Sequence, residues 1–112
     1  MYEYTFTEIP RAVDGDTLDA KIDLGFHVHI ACKLRLQGIN TPELPTPEGK
    51  QARAFVAQWF AKHFDQGVTV KTIRDREEKY GRMLAIIARA DGTTLNNELI
   101  AAGLAVPYMA DR

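Results

Sequence analysis

Residues 34–43, LRLQGINTPE, place an arginine inside an apolar alternation and follow it with a Thr-Pro turn that carries a glutamate. Arg35 stands between Leu34 and Leu36, where an ionised guanidinium is costly unless it reaches water or an anion. Glu43 follows a proline, which cannot continue a central strand. The stretch therefore predicts the end of a strand, with a cation on one side of it and a carboxylate on the other.

The same alternation extends backwards and predicts one long strand over HVHIACKLRLQGI, residues 27–39. Successive side chains of a strand point to opposite faces. The inner face would carry Val28, Ile30, Cys32, Leu34 and Leu36, and the other face His27, His29, Lys33, Arg35 and Gln37. Cys32 is the single cysteine, so no disulfide within the chain is expected. Its position on the inner face predicts a small buried hydrophobe. Arg35 is then either an exterior residue beside Lys33 or the partner of an anion.

Four further strands and two helices are predicted around this strand. The strands are YEYTFTEIPRAV, TLDAKIDL, GVTVKTIR and RMLAIIARA. Apolar residues at helical spacing predict a helix over residues 47–64 that Thr46 caps. A shorter helix is predicted between a Thr94 cap and a stop at Gly103. This order predicts residues 1–112 to be a single mainly β domain with helices, a small five-stranded Greek-key barrel.

Composition limits the partners that such a domain could have. The net charge of −1 argues against a generally basic nucleic-acid binder, so contact with a polyanion would need a local cluster. The residues available for such a rim are Lys33, Arg35, Lys71, Arg74, Lys79 and Arg82. The N-terminus MYEYTFTEIP lacks the basic start and apolar core of a signal peptide, and no apolar run approaches a bilayer span. We therefore expect a cytoplasmic protein without a membrane partner, or a secreted one if a leader has been removed.

Two other segments carry residues that could do chemistry. Asp14 and Asp16 in VDGDT are typical of a hairpin turn, but carboxylates two positions apart can also ligate calcium or magnesium. Arg82 in KYGR begins a predicted strand after a tight turn. Two arginines from separate strands fit a phosphate better than a simple ion pair, because guanidinium forks match phosphate oxygens.

Four fragments in this order, VDGDT, LRLQGINTPE, KYGRMLA and LNNELIAAGLA, resemble the staphylococcal nuclease (thermonuclease) family over nearly the whole chain. The resemblance implies the five-stranded oligonucleotide/oligosaccharide-binding (OB) barrel. It also implies calcium-dependent endonuclease cleavage of single-stranded DNA and RNA that leaves 3′-phosphate ends. The sequence stops at Arg112, before the family's last helix. It would then be a minimal member, an excised domain, or a chain that covers the bare surface by self-association.

The resemblance also assigns roles by position. It implies that Arg35, Glu43 and Arg82 are catalytic, Glu43 as the general base and the arginines as stabilisers of the phosphate and the transition state. It implies a calcium site at Asp16, Asn40 and Thr41, with Asp14 as a supporting carboxylate. Lys79, Tyr80 and Tyr108 would bind substrate, the first two at a terminal phosphate and Tyr108 against a base.

One position departs from the family pattern and leaves alternatives open. Asn40 stands where the typical member has a second aspartate ligand, so the chain would be a nuclease with weaker calcium binding or an inactive relative. The rival hypothesis is a catalytically weak or inactive OB-fold module that binds single-stranded nucleic acid or a protein. A zinc protein using His27 and His29 is a third option, with only two candidate ligands.

Overall fold

A closed barrel forms the centre of the molecule. The computed structural model describes residues 2–77 and 81–108, and for Tyr2 and residues 74–77 it describes the backbone only. The strands are β1 (Tyr2–Phe6), β2 (Arg11–Ala12), β3 (Thr17–Asp23), β4 (His29–Leu36), β5 (Ile39–Asn40), β6 (Val68–Glu77), β7 (Met83–Arg89) and β8 (Val106–Pro107). The α-helices are α1 (Pro47–His63) and α2 (Leu95–Ala101), and a 3₁₀ turn spans Phe64–Gln66.

Five of these strands close on themselves. The sheet runs β1-β6-β7-β4-β3-β2, and β3 also pairs with β1, which completes the ring. All of its pairings are antiparallel except β4 with β7, where Leu34–Leu36 lie parallel to Met83–Ala85. This is the predicted OB-type barrel with two helices. A small second sheet pairs β5 with β8.

Pro10 explains why the predicted first strand divides into two. Proline has no backbone N–H to give to a ladder, and here it is buried between β1 and β2. The chain before Pro10 pairs with the far end of β3, at Asp23 and Ile22, while the chain after it pairs with the near end, at Asp19 and Leu18. One predicted strand therefore becomes two short strands that share the same partner.

The helices begin and end as the capping residues predict. The side chain of Thr46 accepts a hydrogen bond from Gly49 N at 3.0 Å at the start of α1, and that of Thr94 accepts one from Asn97 N at 3.1 Å at the start of α2. Gly103 follows α2 with a φ of +76°, the left-handed conformation that stops a helix. α1 covers the barrel core, and its Phe60 packs edge-on against Phe6, with ring centroids 5.7 Å apart.

The predicted inner face of β4 is wrong for the first half of the strand. Leu34 and Leu36 are fully buried as expected, but Val28 and Ile30 are about half exposed and Cys32 is only half buried. The reason is that β4 pairs with β7 only at residues 34–36, so the first residues of β4 form an edge of the sheet, although Ile22 opposite Ile30 is buried. At the tip of the β3–β4 hairpin, Phe26 is 97% exposed. Arg35, in contrast, is buried, so its interpretation as an exterior residue is also wrong.

Candidate active site

The loop between β2 and β3 is folded tightly against α1 and the turn that follows β5. Val13 N donates to Thr17 O at 2.9 Å, and Asp16 N donates to the Asp14 carboxylate at 3.0 Å. Gly15 has no room for a side chain, because a Cβ atom there would lie 2.7 Å from the Ala52 Cβ and 2.8 Å from the Thr41 Oγ1. A glycine is therefore required for this loop to reach its position.

Asp16 is the centre of the hydrogen-bond network at this end of the barrel. The residue is only 8% exposed. Its Oδ2 accepts a hydrogen bond from Thr41 N at 3.1 Å and lies 3.5 Å from Nη1 of Arg35. Its Oδ1 accepts one from the Thr17 hydroxyl at 3.3 Å, and its backbone carbonyl accepts one from Leu36 N at 2.9 Å. The carboxylate thus joins three separate segments of the chain.

Asp14 adds a second carboxyl group beside Asp16. Burial raises the pKa of Asp14 above its usual value, and the neighbouring Asp16 raises it further through a shared hydrogen bond and through repulsion between the two charges. The bond that Asp14 accepts from Asp16 N works in the opposite direction. The raised pKa of Asp14 means that its negative charge is unfavourable at this position, and a bound cation would offset that cost.

Arg35 points into this network from β4. Its Nη1 donates to Leu36 O and its Nη2 donates to Ile39 O, both at 2.8 Å. The Tyr108 ring lies against the guanidinium, with 5.7 Å between Cζ and the ring centroid. Together with Asp16, these contacts compensate the burial of the charge and fix the turn between β4 and β5.

Arg82 reaches the same network from the residue before β7. It is half buried, and its Nη1 donates to the Thr17 Oγ1 at 3.0 Å. Since Thr17 also donates to Asp16, the second arginine is connected to the carboxylate through one hydroxyl group. The parallel pairing of β4 with β7 places β4, which carries Arg35, beside the start of β7, which Arg82 directly precedes.

Glu43 lies in the exposed turn between β5 and α1. Its backbone carbonyl accepts hydrogen bonds from the backbone N and the hydroxyl of Thr46, the residue that caps α1. The peptide bond between Leu44 and Pro45 in this turn is cis. Among the residues that the structure describes, the Glu43 carboxylate has no hydrogen-bond or ion-pair partner. The turn is fixed by its backbone, and the acid group is available for a substrate or water.

Asn40 and Thr41 lie one after the other at a small cavity. Asn40 is exposed in β5 and pairs with Val106 of β8, whereas Thr41 is buried against the Asp16 loop. The cavity measures about 250 Å³ and is lined by residues 40–42 and 103–106. The backbone N–H of Thr41 therefore faces the Asp16 carboxylate, and residues 40–42 border an open space beside residues 103–106.

Comparison with known proteins assigns the chain to a family. Residues 33–112 match the family described as staphylococcal nuclease homologue, and this segment holds the second half of β4, with Arg35, and the turn with Glu43. The chain belongs to this family. It is also 28% identical, over 100 residues, to a protein of Escherichia coli O157:H7 described as an uncharacterized endonuclease. That alignment covers 89% of this chain and 59% of the relative, so the chain spans less than two thirds of the relative's length.

The donor atoms of this nuclease-family site fit a hard divalent cation. Calcium and magnesium prefer oxygen ligands. Asp16 and Asp14 bring two carboxyl groups to this end of the barrel, the Thr41 backbone is held against Asp16, and Asn40 precedes Thr41 in the chain. Within the described residues no group of three or more His, Cys, Asp or Glu side chains is placed to hold a metal ion. A cation bound by so few charged ligands would be held weakly. The same observation gives no support to a zinc site at His27 and His29.

The remaining predicted residues divide into three groups. Lys79 and Tyr80, predicted at a terminal phosphate, lie outside the described residues. Tyr108 is described, and it lies on Arg35 with part of its ring exposed. Of the predicted basic rim, Lys33 is paired with Asp19 at 2.9 Å and Lys71 with Glu3 at 3.7 Å, so both positive charges are partly compensated.

The sequence prediction missed Thr17, although it stands in the DGDT motif beside Asp16. A threonine at the start of a strand is ordinary, so its type gave no signal. Its position opposite Arg35 in the β3–β4 register and its contact with Arg82 depend on the closed barrel. Separately, no helix in the described part of the chain is long and apolar enough to cross a membrane.

Proposed function

We propose that the chain is a calcium-dependent nuclease that hydrolyses single-stranded DNA and RNA and leaves 3′-phosphate ends. The observation that carries the proposal is the hydrogen-bonded connection from Arg82 through Thr17 to Asp16, and from Asp16 to Thr41 and Arg35. It holds two cations and a carboxylate at one end of the barrel, in a chain that belongs to a nuclease family.

The charge of the site supports a role for a divalent cation. Asp14, Asp16 and Glu43 provide three carboxyl groups, and Arg35 and Arg82 provide two guanidinium groups. With all five ionised, the site would carry one net negative charge, and burial together with Asp16 opposes the ionisation of Asp14. A divalent cation would reverse that sign and strengthen the attraction of a phosphodiester. Calcium, when bound, would supply Lewis-acid polarisation of a phosphoryl oxygen.

Asp16, Asn40 and Thr41 are the residues that would hold calcium. Asp16 brings the formal charge, Asn40 an amide oxygen and Thr41 its backbone carbonyl, with Asp14 as a supporting carboxylate. The bond from Thr41 N to Asp16 Oδ2 holds the Thr41 backbone against the carboxylate. Because Asn40 is neutral, the affinity should be lower than that of a site with two aspartates.

The two arginines are proposed to bind the phosphate and to stabilise the charge that develops on it. A guanidinium has five N–H donors; in Arg35 two of them are used by the Leu36 and Ile39 carbonyls, and Nη1 also lies 3.5 Å from Asp16 Oδ2. Arg35 is thereby held rigidly in the orientation that is proposed to meet a phosphate oxygen. Preorganised donors of this kind stabilise the transition state because they need no reorientation during the reaction.

Glu43 is proposed as the general base that takes a proton from the attacking water. Its exposed carboxylate, without a described partner, is free to contact a water molecule, and its backbone is fixed by the α1 cap. Tyr108 is proposed to stack on a base with its exposed ring surface, and Lys79 and Tyr80 to contact a terminal phosphate. An extended single strand reaches such a rim and such a ring more easily than a stacked duplex does.

The test is digestion of heat-denatured DNA, and of RNA, by the purified protein with millimolar calcium and again with a chelator. We expect cleavage with calcium only. Glu43→Gln should cleave about a hundredfold more slowly or worse, the usual scale for a lost general base. The matched control is Glu48→Gln, which removes an exposed carboxylate from the first turn of α1.

Three results would contradict the proposal. Equal activity of the wild type and Glu43→Gln would mean that a contaminant cuts the substrate. Full activity in chelator would exclude the calcium requirement. A wild type that binds single-stranded oligonucleotides without cutting them would favour the non-catalytic OB-fold module.

A further inference from the structure

We propose that the hydroxyl group of Thr17 is a positioning group for Arg82, an inference that rests on the function proposed above. Thr17 is the first residue of β3, it is 5% exposed, and it lies directly opposite Arg35 in the β3–β4 register. Its Oγ1 lies 3.0 Å from Nη1 of Arg82 and 3.3 Å from Oδ1 of Asp16. One buried hydroxyl therefore lies between the two oppositely charged groups.

The chemistry of the hydroxyl fixes the direction of both hydrogen bonds. A threonine hydroxyl has one proton to donate and lone pairs to accept with, whereas a guanidinium can only donate and a carboxylate can only accept. Arg82 must therefore donate to Thr17, and Thr17 must donate to Asp16. Bonds in such a chain polarise one another and strengthen together. Because so little of Thr17 is exposed, water has little access to replace either partner.

This arrangement matters because an arginine side chain is long and has many rotamers. A fork that binds phosphate on two N–H groups must be held in one orientation before the substrate arrives. Thr17 accepts one N–H of Nη1 and so restricts the rotation of the Arg82 guanidinium. It also ties the position of Arg82 to the Asp16 carboxylate, so the phosphate-binding and cation-binding halves of the site are held at a constant separation.

The first arm of the test measures cleavage in a double-mutant cycle. Thr17→Val keeps the β-branched shape and removes the hydroxyl, and we expect roughly a tenfold loss of rate, the scale of one hydrogen bond to a charged group. Thr17→Ser, which restores the hydroxyl, should keep most of the rate. In an Arg82→Ala background, Thr17→Val should change the rate by less than about twofold, because the group that it positions is gone.

Thr69→Val is the matched control, since Thr69 is a partly buried threonine of β6 that pairs with Thr5 and Ala88, away from this end of the barrel. It should cleave like the wild type. Melting temperatures of all variants separate loss of fold from loss of rate. If Thr17→Val does not fold, Thr17→Ala is compared with Thr17→Ser. If neither Thr17→Val nor Thr17→Ala folds, Thr17 has a structural role and the inference is overturned.

The second arm does not depend on cleavage. A nuclease-resistant phosphorothioate oligonucleotide, titrated in chelator, should bind more weakly to Thr17→Val and to Arg82→Ala than to the wild type. It should bind to the double variant about as weakly as to Arg82→Ala alone. An equal loss from Thr17→Val in both backgrounds, or no loss at all, would overturn the inference. If the wild type does not cut, the nuclease proposal fails, and the binding cycle still decides the role of Thr17.

Discussion

Arg35 shows how a barrel wall can hold a buried cation. An unpaired guanidinium at 6% exposure would be strongly destabilising, but two carbonyls, a carboxylate and an aromatic ring surround this one. Three of these partners, Leu36, Ile39 and Asp16, belong to segments that also carry the proposed cation ligands or adjoin them. Arg35 therefore stabilises the local fold and the site by the same contacts, so its replacement is a poor test of catalysis alone.

Asn40 offers a cleaner test, because its side chain is exposed and its change adds a charge without disturbing the core. We expect Asn40→Asp to bind calcium more tightly, by roughly tenfold, since calcium affinity rises with the number of charged ligands. Magnesium, which demands a stricter octahedral shell, should gain less. The measurement is calorimetric titration of each metal in the absence of substrate.

The control for this change is Asn97→Asp, which adds the same charge on an exposed position of α2. It should leave calcium affinity unchanged. If Asn40→Asp binds calcium no better than the wild type does, residue 40 does not face the ion and the proposed ligand set is wrong.

Asp19 predicts a pH dependence of stability that is separate from the site. The Lys33 ammonium, through a hydrogen bond, and then Arg11 hold the pKa of Asp19 below its usual value of 3.8. A lowered pKa in the folded state means that these contacts stabilise the protein above pH 3.8, and that the stabilisation is lost as the pH falls through the folded value.

Asp19→Asn should therefore melt below the wild type at pH 7, with a loss under about 1 kcal/mol because the pairs are exposed. The difference should shrink in high salt and vanish below the folded pKa. Thermal melts from pH 2 to pH 7 measure it, with Asp65→Asn, an exposed aspartate of the 3₁₀ turn, as the control. A difference that is constant across this range would contradict the assignment.

At the scale of elements, the first turn of α1 determines where Glu43 lies. Gly49 is buried in that turn, and a Cβ atom on it would lie 2.7 Å from the carbonyl carbon of Glu43. The helix and the Glu43 turn are therefore in direct backbone contact. A glycine that looks unfavourable for a helix is required by the packing of the turn.

Gly49→Ala should consequently lower both stability and cleavage, although alanine at an ordinary helix position stabilises by about 1 kcal/mol relative to glycine. The loss arises because the Glu43 turn must move away from the new methyl group. Chemical denaturation and cleavage rates measure the two effects, and Lys50→Ala at the adjacent exposed position is the control. A stabilised Gly49→Ala protein would show that the contact is not tight.

The sequence predicted most elements because their signals are local. Strand β3 alternates apolar and polar residues, and α1 was predicted to within one residue from its Thr46 cap and apolar spacing. The faces of β4 were not predictable in the same way, because alternation shows which side chains share a face and not how far the pairing with β7 extends along the strand. The first residues of β4 lie outside that pairing.

The site was predictable only as a set of residue types and positions. Asp16, Arg35 and Thr41 were selected from motifs, and the structure brings them into contact, while their chemical roles stay predictions. The connection through Thr17 depends on β3, β4 and β7 lying side by side, which no local pattern specifies. Strand pairing between distant segments is what the sequence alone could not supply.

For the whole molecule, closure of the barrel connects the candidate site to the core. The single tryptophan, Trp59, is buried in α1, packs edge-on against Phe60, and donates a hydrogen bond to Glu98 of α2. Its fluorescence therefore reports on the core, whereas cleavage, by the function proposed above, would report on residues from β3, β4 and the segment before β7. If both depend on one closed ring, they should be lost together.

We expect the urea midpoints of Trp59 fluorescence and of nuclease activity to coincide, as for a two-state domain of this size. Activity is assayed in urea at each concentration after equilibration, with a correction for direct inhibition taken from the region below the transition. Activity that disappears well before the fluorescence changes would show that the site opens locally while the core persists.

The parallel ladder between β4 and β7 also has a consequence for how the chain folds. It joins residues 34–36 to residues 83–85, whereas the β3–β4 and β6–β7 hairpins join near neighbours in the chain. Loop-closure entropy must be lost before such distant contacts give any stabilisation, so non-local pairings of this kind slow folding. The two hairpins can form early, but the ring closes only when two distant pairings form, that of β4 with β7 and that of β1 with β6. The first of these also brings Arg82 to Thr17 and Asp16, so we expect a newly made chain to form its site late in folding.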